Sequence, residues 1–197
     1  MRFAFFDAKS YDRPSFEKYG AEAGIEFKYL ETRLCRDTVE LASGHDGVCV
    51  FVNDTLDRAV LERLYEYGIR IIALRCAGFN NVDMSYAKDK FCVVRVPAYS
   101  PYAVAEHAMA MLLTSVRRTH KAYIRTRDFN FSLNGMTGFD LHGKTVGVIG
   151  YGRIGRRVGD KCQALGMNVL SVVHRNKPAG CECETMKFVS PDELFAQ

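Results

Sequence analysis

Three glycines between a strand pattern and a helix pattern constrain the fold of this 197-residue chain more than any other feature. Residues 145–149 read TVGVI, an apolar run typical of a buried strand. After the glycines, an amphipathic helical pattern extends to about Leu165, and Gly166 marks its end. A strand, a glycine turn and a helix in this order predict a parallel sheet whose strands are connected by helices.

The spacing of the glycines indicates what the turn can hold. Gly150 permits a tight turn, Gly152 lets the main chain approach a pyrophosphate, and Gly155 lets helix and strand pack closely. The start of the helix adds free N–H groups and the positive end of the helix dipole. We therefore predict a dinucleotide site; a glycine-rich turn without a ligand is the alternative. The predicted contacts are Gly150, Tyr151, Gly152, Arg153, Ile154 and Gly155.

The end of the next predicted strand, at 168–173, bears on which dinucleotide would bind. An acidic residue there accepts hydrogen bonds from the ribose and repels a 2′-phosphate. This chain has Val173, His174 and Arg175 instead, and we predict that all three contact the cofactor. NAD is the expected cofactor. NADP is predicted to be tolerated or preferred, because Arg175 and His174 could bind its extra phosphate; a merely exposed Arg175 is the alternative.

The first hundred residues also alternate between strand and helix patterns. Apolar runs predict strands at 2–6, 25–30, 47–52, 71–74 and 92–96. Helices are predicted at 14–20, with Asp12 near its start, and at 54–67, capped by Asp54 or Thr55. A short strand at 186–189 and a helix from Pro191 are predicted near the end of the chain. The alternation predicts an α/β fold with right-handed crossovers.

A long helix is predicted from Pro101 to about Arg127, with Ser100 as its cap. Its apolar stripe is predicted to consist of Val104, Ala108, Met111, Leu112 and Ser115. Its basic residues are Arg117, Arg118, Lys121, Arg125 and Arg127. Nucleic-acid binding is one explanation of these charges, and we favour a solvated face that complements the helix dipole. Turn residues at 134–138 indicate a linker.

Charge and cysteine content narrow the function classes. Lys and Arg total 27 against 23 Asp and Glu, and a net charge of +4 is too small to indicate a nucleic-acid or membrane partner. An odd count of seven cysteines and the absence of an apolar leader predict a cytoplasmic protein. Cys49, Cys92 and Cys162 are predicted to be buried. Cys181 and Cys183 lack a second ligand pair at zinc spacing, so no metal site is predicted.

Four segments, in this order and spacing, resemble the D-isomer-specific 2-hydroxyacid dehydrogenases, most closely the fermentative D-lactate dehydrogenase branch. They are residues 74–83 (LRCAGFNNVD), 95–101 (RVPAYSP), 104–108 (VAEHA) and 143–150 (GKTVGVIG). The resemblance implies a flavodoxin-like parallel-sheet substrate domain over residues 1–98. It implies the first half of a Rossmann NAD(P)-binding domain over residues 99–197, so that the chain is an N-terminal portion.

The resemblance also assigns a substrate and its contacts. It implies a small 2-oxo acid such as pyruvate, whose carboxylate binds the backbone N–H groups of Cys76, Ala77 and Gly78. Tyr99 is implied to line the substrate cleft near the hinge, and a packed aromatic at a domain junction is the alternative. The family further implies a homodimer of the full-length protein.

The chemistry of reducing a 2-oxo acid needs a cation for the carboxylate, a general acid, and a group that orients this acid. In the family these are an Arg, a His and a Glu or Asp from the far half of the coenzyme domain, expected here beyond Gln197. Glu106 and His107 are adjacent on a helix and point about 100° apart, so they cannot form an acid–orienter pair. Arg75 is an electrostatic candidate or part of a structural ion pair.

We therefore expect an NAD(P)-dependent oxidoreductase whose isolated 197 residues show little or no turnover. The apolar first strand of the second sheet would also leave an open edge, which predicts poor solubility or dependence on a partner. A non-catalytic dinucleotide-binding sensor or corepressor-like module on the same fold is the alternative from another class. A relative of formate dehydrogenase is a third possibility, against which the segment 96–101 (VPAYSP) argues.

Overall fold

The computed structural model describes residues 1–172, 180 and 182–196, which fall into two compact units, Met1–Tyr99 and Ser100–Gln197. Every strand pair of the two sheets in these described ranges is parallel. The predicted α/β fold class with parallel sheets is therefore confirmed.

In the first unit, all of whose residues are described, five strands form one sheet in the order β2-β1-β3-β4-β5. They are β1 (Arg2–Phe5), β2 (Glu26–Tyr29), β3 (Gly47–Val50), β4 (Ile71–Leu74) and β5 (Cys92–Arg95). The central strand β3 is buried on both faces, as its unbroken apolar sequence predicts. The strand order reverses next to β1, and in open α/β sheets the carboxyl ends of the strands near such a reversal form the binding crevice.

The helices of the first unit are α1 (Arg13–Ala23), α2 (Arg58–Glu66) and α3 (Met84–Ala87), with a 3₁₀ turn at Val39–Ala42. An aliphatic cluster that includes Val60, Leu61, Leu64 and Ile72 is fully buried. A separate aromatic cluster packs Phe5 edge-to-face against Phe16 and Phe27. These two clusters form the core of the unit.

The start of α2 differs from the prediction. Neither Asp54 nor Thr55 caps the helix; its cap is Asp57, whose Oδ1 accepts a hydrogen bond from the Val60 amide at 3.0 Å. The side chain of Asp12 likewise makes no cap bond to α1 and accepts one from the Lys9 amide instead. In both cases the acidic side chain predicted to cap the helix, Asp12 or Asp54, instead accepts hydrogen bonds from backbone amides that precede the helix.

The described part of the second unit contains a three-stranded sheet in the order β6-β7-β8. Its elements are α4 (Pro101–Arg117), α5 (Thr119–Arg127), β6 (Thr145–Ile149), α6 (Arg153–Ala164), β7 (Asn168–Val172), β8 (Met186–Phe188) and α7 (Pro191–Phe195). The predicted cap of α4 is confirmed, since the Ser100 hydroxyl accepts a hydrogen bond from the Ala103 amide at 3.2 Å.

The predicted long helix is broken, and its predicted apolar stripe is correct only at Leu112, which packs against the core of the unit. Arg118 adopts a left-handed conformation with φ of 54°, which ends α4 and starts α5. The buried residues of α4 are Ala105 and Met109, whereas Val104 and Met111 of the predicted stripe are 42% and 51% exposed. The helix is apolar on more than one face, so periodicity alone does not identify the face that packs against α6.

The predicted linker at 134–138 lies inside the second unit and is held by the basic residues beside it. Arg118 Nη1 donates to the Gly135 carbonyl at 2.7 Å, and Arg125 Nη1 donates to the Asn134 carbonyl at 2.6 Å. The basic end of the predicted helix is therefore not simply a solvated face, because two of its guanidinium groups bind the loop that follows.

The cysteine prediction holds at two of three positions. Cys49 and Cys162 are buried, but Cys92 is exposed because it lies on the edge strand β5. Within the described residues, no helix has the length and apolar character needed to cross a membrane. The same residues contain no cluster of three or more His, Cys, Asp or Glu side chains that could hold a metal ion.

Candidate functional site

The glycine turn connects the end of β6 to the start of α6. Gly150 has a φ of +94°, a conformation that side chains disfavour, and its amide donates to the Val172 carbonyl of β7 at 2.8 Å. A Cβ on Gly155 would overlap the carbonyl oxygen of Gly150. The first and third glycines are therefore required by the backbone path of the turn itself.

Gly152 differs from both of these glycines. It has φ of −83° and ψ of −158°, which any residue can adopt, and a Cβ built on it meets no atom within 4 Å. The fold thus has no steric need for glycine at this position. The missing side chain leaves main chain exposed at the helix start, where a ligand could approach it closely.

The first turn of α6 presents unpaired donors. Nothing in the described ranges accepts a hydrogen bond from the amides of Arg153, Ile154 or Gly155, while the Arg156 amide donates back to the Gly152 carbonyl at 3.0 Å. The first turn contains no acidic side chain. Free amides and the positive end of the helix dipole give this turn the chemical groups that could bind an anion such as a diphosphate.

The side chains of Tyr151 and Ile154, both predicted cofactor contacts, differ in their burial. The Tyr151 ring is buried, packs edge-to-face on Phe188 at 5.3 Å, and fills the space beside Gly159. Only the main chain of Tyr151 is therefore available to a ligand. Ile154 is 43% exposed at the helix start.

The other predicted cofactor contacts, Val173, His174 and Arg175, lie outside the described residues. The described strand β7 ends at Val172, the residue before them. Their contact with the ribose or a 2′-phosphate stays a prediction.

A second anion-binding candidate follows β4 in the first unit. The loop Cys76–Gly78 begins at the carboxyl end of that strand, next to the crevice expected from the strand order. No acceptor in the described ranges pairs with the amides of Cys76, Ala77 or Gly78. A Cβ on Gly78 would meet no atom within 4 Å, so the main chain of this loop is open to a ligand.

Arg75, directly before this loop, is a structural residue rather than a partner in an ion pair. Its guanidinium donates to the carbonyls of Phe6 at 3.0 Å and Asp7 at 3.1 Å, and it lies 4.1 Å from the centroid of the Phe5 ring. These contacts connect the carboxyl ends of β4 and β1. The electrostatic role considered for Arg75 is therefore secondary to this connection.

Sequence reasoning missed Asp54 and Arg95, whose side chains hold the loops beside them. Arg95 Nη1 donates to the Ala77 carbonyl at 2.9 Å. Asp54 is buried, and its carboxylate accepts hydrogen bonds from the amides of Leu34 at 2.6 Å and Phe51 at 2.5 Å. Burial raises the pKa of this carboxyl, and the Phe51 and Leu34 amides oppose that rise. The available signal was a charged residue at the end of an apolar run, as in GVCVFVND and FCVVRV.

The candidate substrate residue Tyr99 is 63% exposed in the irregular segment after β5. Glu106 Oε1 lies 3.4 Å from Lys161 Nζ, and no ion pair in the described residues joins Glu106 to the adjacent His107. Over the described ranges, no histidine forms an ion pair with a carboxylate. These residues therefore hold no assembled proton donor of the histidine–carboxylate type.

Comparison with known proteins identifies relatives along the whole chain. The family model "D-isomer specific 2-hydroxyacid dehydrogenase, catalytic domain" matches residues 3–189. A D-lactate dehydrogenase of Escherichia coli is 48% identical over 198 residues, which cover 100% of this chain and 60% of that protein. A 2-hydroxyacid dehydrogenase homolog of Haemophilus influenzae is 46% identical over 198 residues, with the same coverage.

Solved structures agree with this result. The apo-structure of the Escherichia coli D-lactate dehydrogenase has a TM-score of 0.86 and 45% identity, covering 99% of this chain and 62% of that one. The Aquifex aeolicus D-lactate dehydrogenase, complexed with NAD and lactic acid, has a TM-score of 0.77 and 30% identity, covering 98% and 57%. The chain spans about 60% of the length of the curated relatives it matches.

Proposed function

Because the chain belongs to the D-isomer-specific 2-hydroxyacid dehydrogenase family, we propose that it takes part in hydride transfer between a nicotinamide dinucleotide and C2 of a small 2-oxo acid. Pyruvate and D-lactate are the proposed pair, since relatives at 48% and 42% identity are D-lactate dehydrogenases. The nicotinamide, when bound, supplies or accepts the hydride, and the residues of the chain bind and orient the reactants.

The observation that carries the proposal is the turn between β6 and α6. Its three unpaired amides at Arg153–Gly155, and the open main chain at Gly152, are suited to bind a diphosphate. The turn residues 150–155 would hold the diphosphate through their main chain. This arrangement uses hydrogen-bond donors that the fold itself leaves unpaired, and an anion would satisfy them.

The loop after β4 is proposed to bind the substrate carboxylate. The amides of Cys76, Ala77 and Gly78 have no acceptor in the described structure, and preorganised N–H groups of this kind bind an anion at little cost in reorganisation. Tyr99 is proposed to line the same cleft, since its ring is largely exposed to solvent. In this arrangement the loop fixes the substrate by its charged end and leaves C2 free to react.

NAD is the proposed cofactor, because the related structure of the Aquifex aeolicus enzyme is described with NAD. Acceptance of NADP is a further proposal that rests on the sequence Val173-His174-Arg175. The 2′-phosphate of NADP carries negative charge that Arg175 could neutralise. Residues 173–175 contain no carboxylate that would repel this phosphate. Dissociation constants for NADH and NADPH, compared with those of Arg175→Ala, test the phosphate preference.

We further propose that proton transfer depends on residues outside these 197 and that the isolated chain has little or no turnover. The support is chemical: none of the histidines in the described structure is paired with a carboxylate that could orient it as an acid. Homodimer formation by the whole protein is proposed as well, on the family likeness alone, and light scattering of the natural gene product measures it.

A non-catalytic dinucleotide-binding module is the second candidate. The unpaired amides of the turn, without an acid–orienter pair beside them, would suit a protein that binds a dinucleotide and passes a signal to a partner. Such a module would bind NADH with no chemical turnover of a 2-oxo acid. The two candidates therefore differ in catalysis and share nucleotide binding.

The experiment measures both properties. Calorimetry of the natural gene product with NADH is expected to give a dissociation constant in the micromolar to millimolar range. The natural gene product that contains this chain is expected to oxidise NADH when pyruvate is added. NADH binding without any 2-oxo acid reduction would favour the module, and absence of binding in the folded gene product would overturn both candidates.

A further inference from the structure

The loop Cys76–Gly78 has all three of its carbonyl groups engaged. The Cys76 carbonyl accepts from the Val96 amide at 3.2 Å, and the Gly78 carbonyl accepts from the Cys76 thiol at 3.2 Å. The Ala77 carbonyl, between them, accepts from Nη1 of Arg95 at 2.9 Å. Two of these three bonds attach the loop to the end of β5, so the neighbouring strand fixes the directions of its peptide groups.

The geometry of the peptide bond converts these contacts into amide directions. In a planar trans peptide, the C=O of one residue and the N–H of the next point in opposite directions, and the described chain contains no cis peptide bond. A carbonyl of Ala77 that points to Arg95 therefore turns the Gly78 N–H away from Arg95. The Cys76 carbonyl accepts from the Val96 amide, so the Ala77 N–H points away from Val96. Neither the Ala77 nor the Gly78 amide has an acceptor in the described structure.

Arg95 also carries a charge that nothing in the described residues neutralises. Its side chain is exposed, and no described carboxylate lies within ion-pair distance of it. The guanidinium also lies 5.6 Å from the centroid of the ring of Phe79, the residue that follows the loop. A guanidinium has five N–H donors, and the Ala77 carbonyl occupies one of them.

From these contacts we propose that Arg95 is a positioning residue for the substrate carboxylate, acting through the Ala77 carbonyl. It fixes the Gly78 N–H in its outward direction and adds an unpaired positive charge beside the anion loop. The inference rests on the proposed function only in the identity of the anion, a 2-oxo acid. Since the guanidinium is exposed, its electrostatic contribution is screened by salt over about 10 Å at 0.1 M ionic strength.

Arg70, the residue before the neighbouring strand β4, provides a matched control. It is also exposed and donates to backbone carbonyls, those of Tyr65 at 2.9 Å and Ile69 at 2.8 Å, and it stacks over the Tyr65 ring at 3.6 Å. It precedes β4 at the amino end of the strand, whereas the anion loop follows the carboxyl end. A loss of charge or of a carbonyl contact at Arg70 should leave the anion loop unchanged.

The test compares Arg95→Gln, Arg95→Lys and Arg70→Gln in the natural gene product. Arg95→Gln is expected to raise the KM for pyruvate about tenfold, the effect of one charge-assisted hydrogen bond, with kcat and the NADH dissociation constant within about twofold. Arg95→Lys keeps the charge and is expected to stay within about threefold of the parent. Raised salt should increase the KM of the parent and leave that of Arg95→Gln nearly constant.

A readout without catalysis separates this inference from the proposed function. Oxamate, an unreactive analogue of pyruvate, is titrated into each isotope-labelled variant of the natural gene product while the amide resonances of Ala77 and Gly78 are followed by NMR. Shifts that are present in the parent and Arg70→Gln and lost in Arg95→Gln support the inference, even if the gene product reduces no 2-oxo acid. Equal KM values and equal amide shifts in Arg95→Gln and Arg70→Gln overturn it, even if pyruvate reduction is intact.

Discussion

Gly155 lies so close to Gly150 that a Cβ on Gly155 would overlap the carbonyl oxygen of Gly150. The close approach joins the first turn of α6 to the end of β6, and the Val148 side chain borders the same space. Gly150, for its part, needs a positive φ. Of the three glycines in the motif, only Gly152 is free of any steric requirement from the fold, so only its lack of a side chain points to a ligand.

Gly155→Ala is expected to destabilise the chain by about 1–3 kcal/mol, because the added methyl group must push the helix away from the strand. Chemical denaturation followed by circular dichroism measures the change in the free energy of unfolding. Gly152→Ala is the control, since its methyl group would enter open space; its effect is expected to stay within about 1 kcal/mol. Equal stability of the two variants would contradict the packing argument.

Gly152→Ala is expected to weaken NADH binding at least about tenfold while the chain stays folded, because its methyl group would occupy the space in which a diphosphate meets the main chain. Calorimetry of parent and variant measures the loss. Ala164→Gly at the far end of α6 is a suitable control, since it alters the same helix away from the turn. Unchanged NADH affinity in Gly152→Ala would exclude the turn as the diphosphate site.

The sheets could be predicted from the sequence because their strands are short apolar runs bounded by polar turns. All five strands of the first unit lie where such runs predict them, with no end shifted by more than two residues. The caps could not be predicted equally well. Asp54 and Asp57 both precede α2, and Asp57 is the residue that caps it. Asp54 does not cap the helix because its carboxylate accepts hydrogen bonds from the amides of Leu34 and Phe51.

The break at Arg118 and the packed face of α4 depend on contacts with distant parts of the chain. Arg118 binds the carbonyl of Gly135, and Met109 packs against Cys162, with 3.7 Å between the two sulfur atoms. For the candidate site, the glycine motif and the loop 76–78 were visible as sequence. The direction of the loop amides was not, because it depends on a hydrogen bond between Arg95 and Ala77, 18 residues apart.

The stability of α2 is expected to depend on pH through Asp57. The Val60 amide and then the Arg36 side chain hold the pKa of this carboxyl below its ordinary value. Its stabilisation is therefore present above the pKa of the unfolded chain and is lost as the pH falls through the lower pKa of the folded chain. Asp57→Ala is expected to cost about 1 kcal/mol at neutral pH, the usual value of a lost cap.

Asp57→Asn separates the cap from the charge. Its amide oxygen can still accept from Val60, but it cannot titrate and loses the ion pair with Arg36. Hydrogen exchange of the α2 amides, measured from about pH 7 down to about pH 3, should show protection that falls in the parent and changes less in Asp57→Asn. Identical pH profiles for the parent and Asp57→Asn would exclude this carboxyl as the source of the acid sensitivity.

The thiols of Cys183 and Cys49 are expected to differ in reactivity because their surroundings shift the two pKa values in opposite directions. The Thr185 hydroxyl and backbone amide lower the pKa of exposed Cys183, whereas burial raises that of Cys49 to about 11. More thiolate is therefore present at Cys183 near neutral pH, and alkylation by iodoacetamide should proceed there while Cys49 reacts only after unfolding.

Mass spectrometry of a Cys181→Ser background isolates the Cys183 signal, and Thr185→Val should slow the alkylation of Cys183 at neutral pH and shift its pH profile upward. Faster labelling of Cys49 than of Cys183 in the folded chain, or no effect of Thr185→Val, would contradict this assignment of the two environments.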